Sequence, residues 1–167
     1  IQGNTIYSEQ EIRNWLRLRP GEPYSRSIAA NDIQKIRDKY GEKAYIQAQI
    51  DAKEVLYRVG HKLDLLISIK ENKKVYVGRI SIRGNTKTRE DVIRRELTRK
   101  EFLPGEEYNT ISLSRALSHL RRTGWFGKDP RDLRQGISAQ DRETDAPAVK
   151  DILLNIDEGS TGNVRFA

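Results

Sequence analysis

The sequence predicts an α+β protein made of two tandem copies of one unit. Each copy reads strand, helix, helix, strand, strand, with the two helices packed on one face of a three-stranded mixed sheet. Three observations carry this. At a spacing of 81 residues, Ile1, Gly3, Asn4, Thr5, Glu9, Ile12, Arg13 and Leu16 are repeated as Ile82, Gly84, Asn85, Thr86, Glu90, Ile93, Arg94 and Leu97. The spacing becomes 84 at Pro20-Gly21-Glu22 with Tyr24 against Pro104-Gly105-Glu106 with Tyr108, and 87 at Leu66, Ile69 and Glu71 against Leu153, Ile156 and Glu158. A match that survives two small insertions marks a whole structural unit. Within each copy the apolar period then switches from helical spacing to alternation, and three strands with two helices pack most simply with both helices on one sheet face.

In the first copy Ser8 and Glu11 form a capping-box pattern ahead of a helix whose apolar face is Ile12, Trp15 and Leu16. Pro20-Gly21 turns the chain. A second helix carries Ile28, Ile33, Ile36 and Tyr40 at helical spacing. From Ala44 the period becomes two, with Ile46, Ala48, Ile50 and Ala52 alternating with Gln47, Gln49 and Asp51, which predicts a strand with one buried face. A connection through Lys53 to His61 leads to a hairpin partner bearing Leu63, Leu65, Ile67 and Ile69.

The second copy shows the opening strand in full. Tyr76, Ile80 and Ile82 are expected on one face and Val75 and Val77 on the other. Gly84-Asn85 turns the chain, as Gly3-Asn4 does in the first copy, because these residues best tolerate a left-handed backbone. Thr88, with Asp91 three residues on, is the expected N-cap of a helix bearing Val92, Ile93 and Leu97. The next helix runs from about Ser112, with Leu113, Ala116, Leu117 and Leu120 inward, and Gly124 ends it before a core pair Trp125-Phe126. Polar, Pro-interrupted residues 129–147 predict only an irregular strand around Ile137 and Ala139. Ile152, Leu154 and Ile156 form the closing strand.

The domains expected are 1–74 and 75–159, with 160–167 opening a further strand through Val164 and Phe166. The chain begins almost on its first Gly-Asn corner, so the first copy's opening strand reads as truncated and the chain as part of a longer protein. Only Asn72 to Lys74 separates the copies, which predicts a restricted joint.

Of the 167 residues, 36% are hydrophobic and 33% charged, a globular composition. No apolar run approaches the roughly 20 residues of a membrane helix. Cysteine is absent, which excludes disulfides and thiolate metal sites. The net charge of +7 is spread evenly, with 14 basic and 10 acidic residues over 1–75 and 17 and 14 beyond. Neither a basic arm nor aromatics interleaved with Lys or Arg stand out, so a nucleic-acid-binding domain pair is the weaker alternative. His61 and His119 have no partner motif, and Gly159 to Gly162 precede no helix that could cradle a phosphate. Neither a metal, a cofactor nor a catalytic constellation is expected.

The repeated order, the Gly-Asn corner, the Pro-Gly-x-x-Tyr turn and the closing acidic residue resemble the polypeptide-transport-associated (POTRA) domain over nearly the whole of both copies. The second copy is the nearer, through Ile80 to Asn85, Val92 to Leu97, Leu120 to Phe126 and Asp157-Glu158-Gly159. Residues 159–166 resemble the passage into the transmembrane barrel of BamA-type outer-membrane assembly proteins. The resemblance implies a non-catalytic, periplasmic module of an outer-membrane protein, near the inner leaflet of that membrane. It would receive unfolded outer-membrane proteins and dock accessory lipoproteins; a secretion or translocation barrel is the alternative within the family.

The resemblance places the first copy's middle strand at a sheet edge. Ile46, Gln47, Ala48, Gln49 and Ile50, free of proline, are then the expected acceptors of a client strand through main-chain hydrogen bonds. The clustered charges Arg94, Arg95, Glu96, Arg99 and Glu101 are the expected partner-docking face, and Gly3, Asn4, Gly84 and Asn85 the structural corners.

Overall fold

A computed structural model describes residues 1–57, 63–123, 126 and 136–158. The chain divides into two units, the first Ile1–Lys74 and the second beginning at Val75.

In the first unit, α1 (Glu9–Trp15) starts at Ser8 with the expected capping box: the Ser8 hydroxyl accepts from the Glu11 N–H, and the Glu11 carboxylate accepts from the Ser8 N–H at 2.8 Å. Helix α2 (Arg26–Glu42) turns Ala29, Ile33, Ile36 and Tyr40 inward. Strands β1 (Gln49–Leu56) and β2 (Leu63–Lys70) pair antiparallel in unbroken register from Gln49–Lys70 to Leu56–Leu63. On the other side of β2, Gln2 forms a parallel bridge with Ser68. The sheet of this unit thus has two strands, not the three expected, with β1 at one edge and a single bridge to Gln2 along the far side of β2. The core is Tyr7, Ile12, Ile33, Ile36, Tyr40, Ile50, Ile67 and Ile69, with Tyr7 edge-on to both Trp15 and Tyr40.

Residues Ile46, Gln47 and Ala48 are not in the strand. Helix α2 is followed by Ala44 at φ 68°, and the Tyr45 N–H and Ala48 N–H return to the carbonyls of Tyr40 and Tyr45. These local bonds fold 46–48 into a turn, and the alternation read there is accidental. The strand begins at Gln49 and continues to Leu56 through residues expected in the connection. Ala52 is exposed, because β1 runs past the end of the core. His61 lies outside the described residues.

In the second unit, β3 (Tyr76–Arg83) runs parallel to the central strand β5 (Val149–Ile156), and β4 (Ile137–Glu143) pairs antiparallel on its other side. Helices α3 (Glu90–Arg99) and α4 (Thr110–Arg122) pack on each other, and α4 meets β4. Leu113, Ala116, Leu117 and Leu120 are buried as expected, and the Asn109 side chain caps α4 by accepting from the Ile111 and Ser112 N–H groups. Phe126 is buried; Gly124, Trp125 and residues 159–167, with Val164 and Phe166, lie outside the described residues.

Three expectations for this unit change. Val77 and Ile80 are both buried, on the same side, because a bulge between them shifts the register by one residue. Gly78 sits there, and the Arg79 N–H donates to the Asp151 carboxylate at 2.7 Å. The N-cap of α3 is Arg89, not Thr88, whose N–H is taken by Glu158. Residues 137–143 form a regular strand; their polarity reflects an edge position, not irregularity.

Candidate functional site

The edge of β1 is built from sequence parity. The Gln2 N–H donates to the Ile67 carbonyl and the Ile69 N–H to the Gln2 carbonyl, so odd-numbered residues of β2 bond away from β1. Their partners across the hairpin, Ile50, Ala52, Glu54 and Leu56, therefore aim their N–H and C=O groups outward, while Gln49, Asp51, Lys53 and Val55 bond to β2. At one end the Arg37 guanidinium donates to the Ile50 carbonyl at 3.1 Å and closes it. Among the described residues, the outward main-chain groups of Ala52, Glu54 and Leu56 take no hydrogen bond. The Tyr24 hydroxyl donates to the Glu54 carboxylate at 2.6 Å, which lowers the Glu54 pKa and raises that of Tyr24. At the far end Leu56 is 74% and Leu66 50% exposed, beside Tyr57.

Of the sequence-predicted acceptors, only Ile50 has its main chain turned outward, and its carbonyl is occupied. The Gln49 amide faces β2, the Gln47 carbonyl accepts from the Asn72 side chain at 2.7 Å, and Ile46 and Ala48 belong to the turn. Glu54 and Leu56 fell in the expected connection because nothing in Lys-Glu-Val-Leu separates strand from connection, and Ala52, though read in the strand, was not among the expected acceptors. A signal was present in the second copy: Tyr108 donates to Asp141 and Arg121 to the Ile137 carbonyl, so Tyr24 and Arg37 each have a counterpart 84 residues on.

The charged segment is less uniform than its composition. Arg94 is held by Glu90 at 2.5 Å and donates to the Ile80 carbonyl at 2.9 Å. Glu96 is buried, not solvated. It faces α4, where His119 Nδ1 lies 3.0 Å from one carboxylate oxygen, and Arg99 lies 3.1 Å from the other. His119 thus has a carboxylate neighbour from another helix, which no local motif could show. Arg95 and Arg99 are exposed. Glu101 is exposed too, but it stands beyond the end of α3 at φ 56°, not on the helix.

The corners repeat in the contacts of their glycine and asparagine. A Cβ on Gly3 would meet the Ile69 carbonyl oxygen, and one on Gly84 the Ile156 carbonyl oxygen; both glycines have φ above 80°. Asn4 donates to the Tyr7 carbonyl and Asn85 to that of Thr88. Each corner is then closed by the acidic residue at the far end of its unit. Glu71 accepts from the Thr5 and Ile6 N–H groups and from the Thr5 and Tyr40 hydroxyls. Glu158 accepts from the Thr86 hydroxyl and the Lys87 and Thr88 N–H groups. Burial pushes the Glu158 pKa up, but these donors outweigh it and hold the carboxyl at about 2.

Among the described residues, no three His, Cys, Asp or Glu side chains could hold a metal ion together, and no helix is long and apolar enough to cross a membrane. The fold and its edges define a tandem of small α+β modules that present main chain and charge. The family profile that matches is POTRA, described as the surface antigen variable number repeat, over residues 1–72 and again over 75–159. The chain belongs to this family and holds two of its domains in tandem, of the kind found in BamA.

A candidate outer membrane protein assembly factor of Treponema pallidum (strain Nichols) is 30% identical over 166 residues, covering 99% of this chain and 18% of that protein. The outer membrane protein assembly factor BamA of Neisseria meningitidis serogroup B (strain MC58) is 27% identical over 98% of this chain and 19% of its own length. The chain thus spans about a fifth of these relatives. The crystal structure of POTRA domains 3–5 of Haemophilus influenzae BamA superposes with a TM-score of 0.75 at 19% identity, over 89% of this chain and 55% of that one. BamA of Haemophilus ducreyi lacking POTRA domains 1–3 gives 0.76 at 21% identity, over 95% and 28%. These superpositions establish the fold.

Proposed function

We propose that this POTRA pair is the periplasmic, non-catalytic binding module of an outer-membrane β-barrel assembly factor. It receives unfolded outer-membrane proteins as an added strand and docks accessory lipoproteins. The observation that carries the reading is the row of outward main-chain groups at Ala52, Glu54 and Leu56 on the edge of β1. Such a row binds an extended client with little regard to its side chains, which suits a general acceptor. The relatives named as outer membrane protein assembly factors supply the context.

Ala52→Pro tests it. The substitution removes an outward N–H and leaves the hairpin bonds of Asp51 and Lys53 in place, so circular dichroism should stay native. Photo-cross-linking of an unfolded outer-membrane peptide to β1 should then fall at least about tenfold, whereas Lys53→Pro should disrupt the hairpin itself. Equal cross-linking of folded wild-type and Ala52→Pro chains refutes the client role.

Lipoprotein docking is assigned to the exposed Arg95, Arg99 and Glu101 around the end of α3. Glu101→Lys should weaken capture of an accessory lipoprotein with the fold unchanged, since exposed charges contribute little to stability. Undiminished capture removes this part of the proposal.

A further inference from the structure

A strand added to an open edge is bonded through main chain alone, so nothing in that bonding stops it from sliding along the edge in two-residue steps. One end of β1 carries a group that bears on this. Arg37 follows the fully buried Ile36 of α2, and its exposed side chain reaches the strand against which that helix packs. There its guanidinium donates to the outward Ile50 carbonyl at 3.1 Å, and among the described residues it bonds to nothing else.

The second unit has the same arrangement on its own edge strand. The Asp157 N–H donates to the Gly136 carbonyl at 2.7 Å, so even-numbered residues of β4 bond to β5 and odd-numbered ones, from Ile137 on, aim their main chain outward. Arg121, which follows the fully buried Leu120 of α4, donates to the Ile137 carbonyl at 2.7 Å. Each arginine therefore covers the first outward carbonyl of an edge strand. Beyond those carbonyls the strands read Asp-Ala-Lys-Glu-Val-Leu and Ser-Ala-Gln-Asp-Arg-Glu, so the arginine is shared where most of the edge side chains are not.

The arginine changes the polarity of the edge at one point. From Leu56 back to Ala52 each outward residue offers one donor and one acceptor, the pattern an added strand needs. At Ile50 the acceptor is covered by a donor. The guanidinium nitrogen stands at the distance that a guest amide nitrogen would take, about 2.9 Å, so a guest N–H arriving there meets other N–H groups and a positive charge.

We infer that Arg37 is a register stop. An extended polypeptide segment added along β1 pairs with Ala52, Glu54 and Leu56 but not with Ile50, and its main chain must end or turn away beside the guanidinium. Arg37 is thus a positioning residue: it selects, among extended segments, those that leave the edge at that point. The inference rests on the reading of β1 as an acceptor edge.

The test is amide hydrogen exchange by NMR on the full chain, with and without an end-blocked synthetic peptide of alternating threonine and valine. In the wild type the peptide should slow exchange at Ala52, Glu54 and Leu56 and leave Ile50 unchanged. Arg37→Met keeps the apolar stem and removes the donors, so in this variant the peptide should slow Ile50 as well, at least about tenfold. Arg37→Lys, which restores a charged donor, should return Ile50 to its wild-type behaviour. The Asp51 and Lys53 amides, bonded to β2, report that the hairpin is intact in each variant. Peptide-induced slowing of Ile50 in the wild type overturns the stop and leaves the acceptor edge standing. An Ile50 amide that the peptide leaves unchanged in Arg37→Met, while Ala52, Glu54 and Leu56 are slowed, also overturns it, since the guanidinium then only caps a carbonyl. No slowing at Ala52, Glu54 and Leu56 in any chain overturns the acceptor edge and the stop together.

Discussion

Glu71 and Glu158, each just past the closing strand of its unit, tie that end to the unit's first corner, so each carboxylate closes a loop through the domain. Because the Glu158 carboxyl is held at about 2, against about 4.3 in an unfolded chain, folding favours its ionised form. Its contribution is fully present above the unfolded value and is lost as the pH falls from about 4.3 toward 2. The second unit should therefore soften on acidification by about 1–2 kcal/mol, after allowance for screening at this partly exposed site. Glu158→Gln should remove most of that acid sensitivity, as read from urea midpoints at pH 6 and pH 3. The Glu71 carboxyl, also lowered against the upward push of burial by its Ile6 and Thr5 donors, should behave alike in the first unit. Gly84→Ala should destabilise by 1 kcal/mol or more, about the strain of a positive φ, since a methyl there also meets a backbone oxygen.

Among the elements, the two first helices make a controlled comparison. Ser8 and Arg89 occupy equivalent positions with nearly the same backbone, φ −66° in both, yet only Ser8 caps its helix. Ser8→Ala should cost about 1 kcal/mol, and Arg89→Ser should gain roughly 0.5–1 kcal/mol by supplying the missing acceptor; thermal or urea unfolding reads both. Helices were the most legible elements in the sequence, because capping and the 3.6-residue period are local. The edge strands were least legible. β4 is polar because one side of it meets water, and β1 was read three residues early because a turn at 44–48 happens to place Ile46 and Ala48 in step with Ile50. The choice of outward-facing residues inherited that error, since outward main-chain direction depends on pairing parity, which only the register fixes. The burial of Glu96 was invisible for a related reason: its neighbour His119 comes from another helix.

For the molecule as a whole, the repeat predicts that stability resides in each unit separately. Each has its own core, its own central strand and its own carboxylate closure. Leu154→Ala, which empties a fully buried position on β5, should cost about 3 kcal/mol. Hydrogen exchange should then speed up throughout the second unit while β1, β2 and α2 keep their protection. A uniform loss across both units would mean that they unfold as one. That the chain is a duplication was plain from the sequence alone, since matched residues survive two changes of spacing.

The bulge at Gly78 turns β3 into a device for counting. Before it, odd-numbered residues face the core; after it, even-numbered ones do. A deletion there is thus a change of reading frame in space: either the stretch from Tyr76 back or the stretch from Ile80 on must present its wrong side, though no side chain has been altered. Replacing residues in this strand edits single letters. Changing its length by one would rewrite half the strand, so variation among natural or engineered relatives should alter what stands at Gly78 and Arg79 far more readily than how many residues stand there.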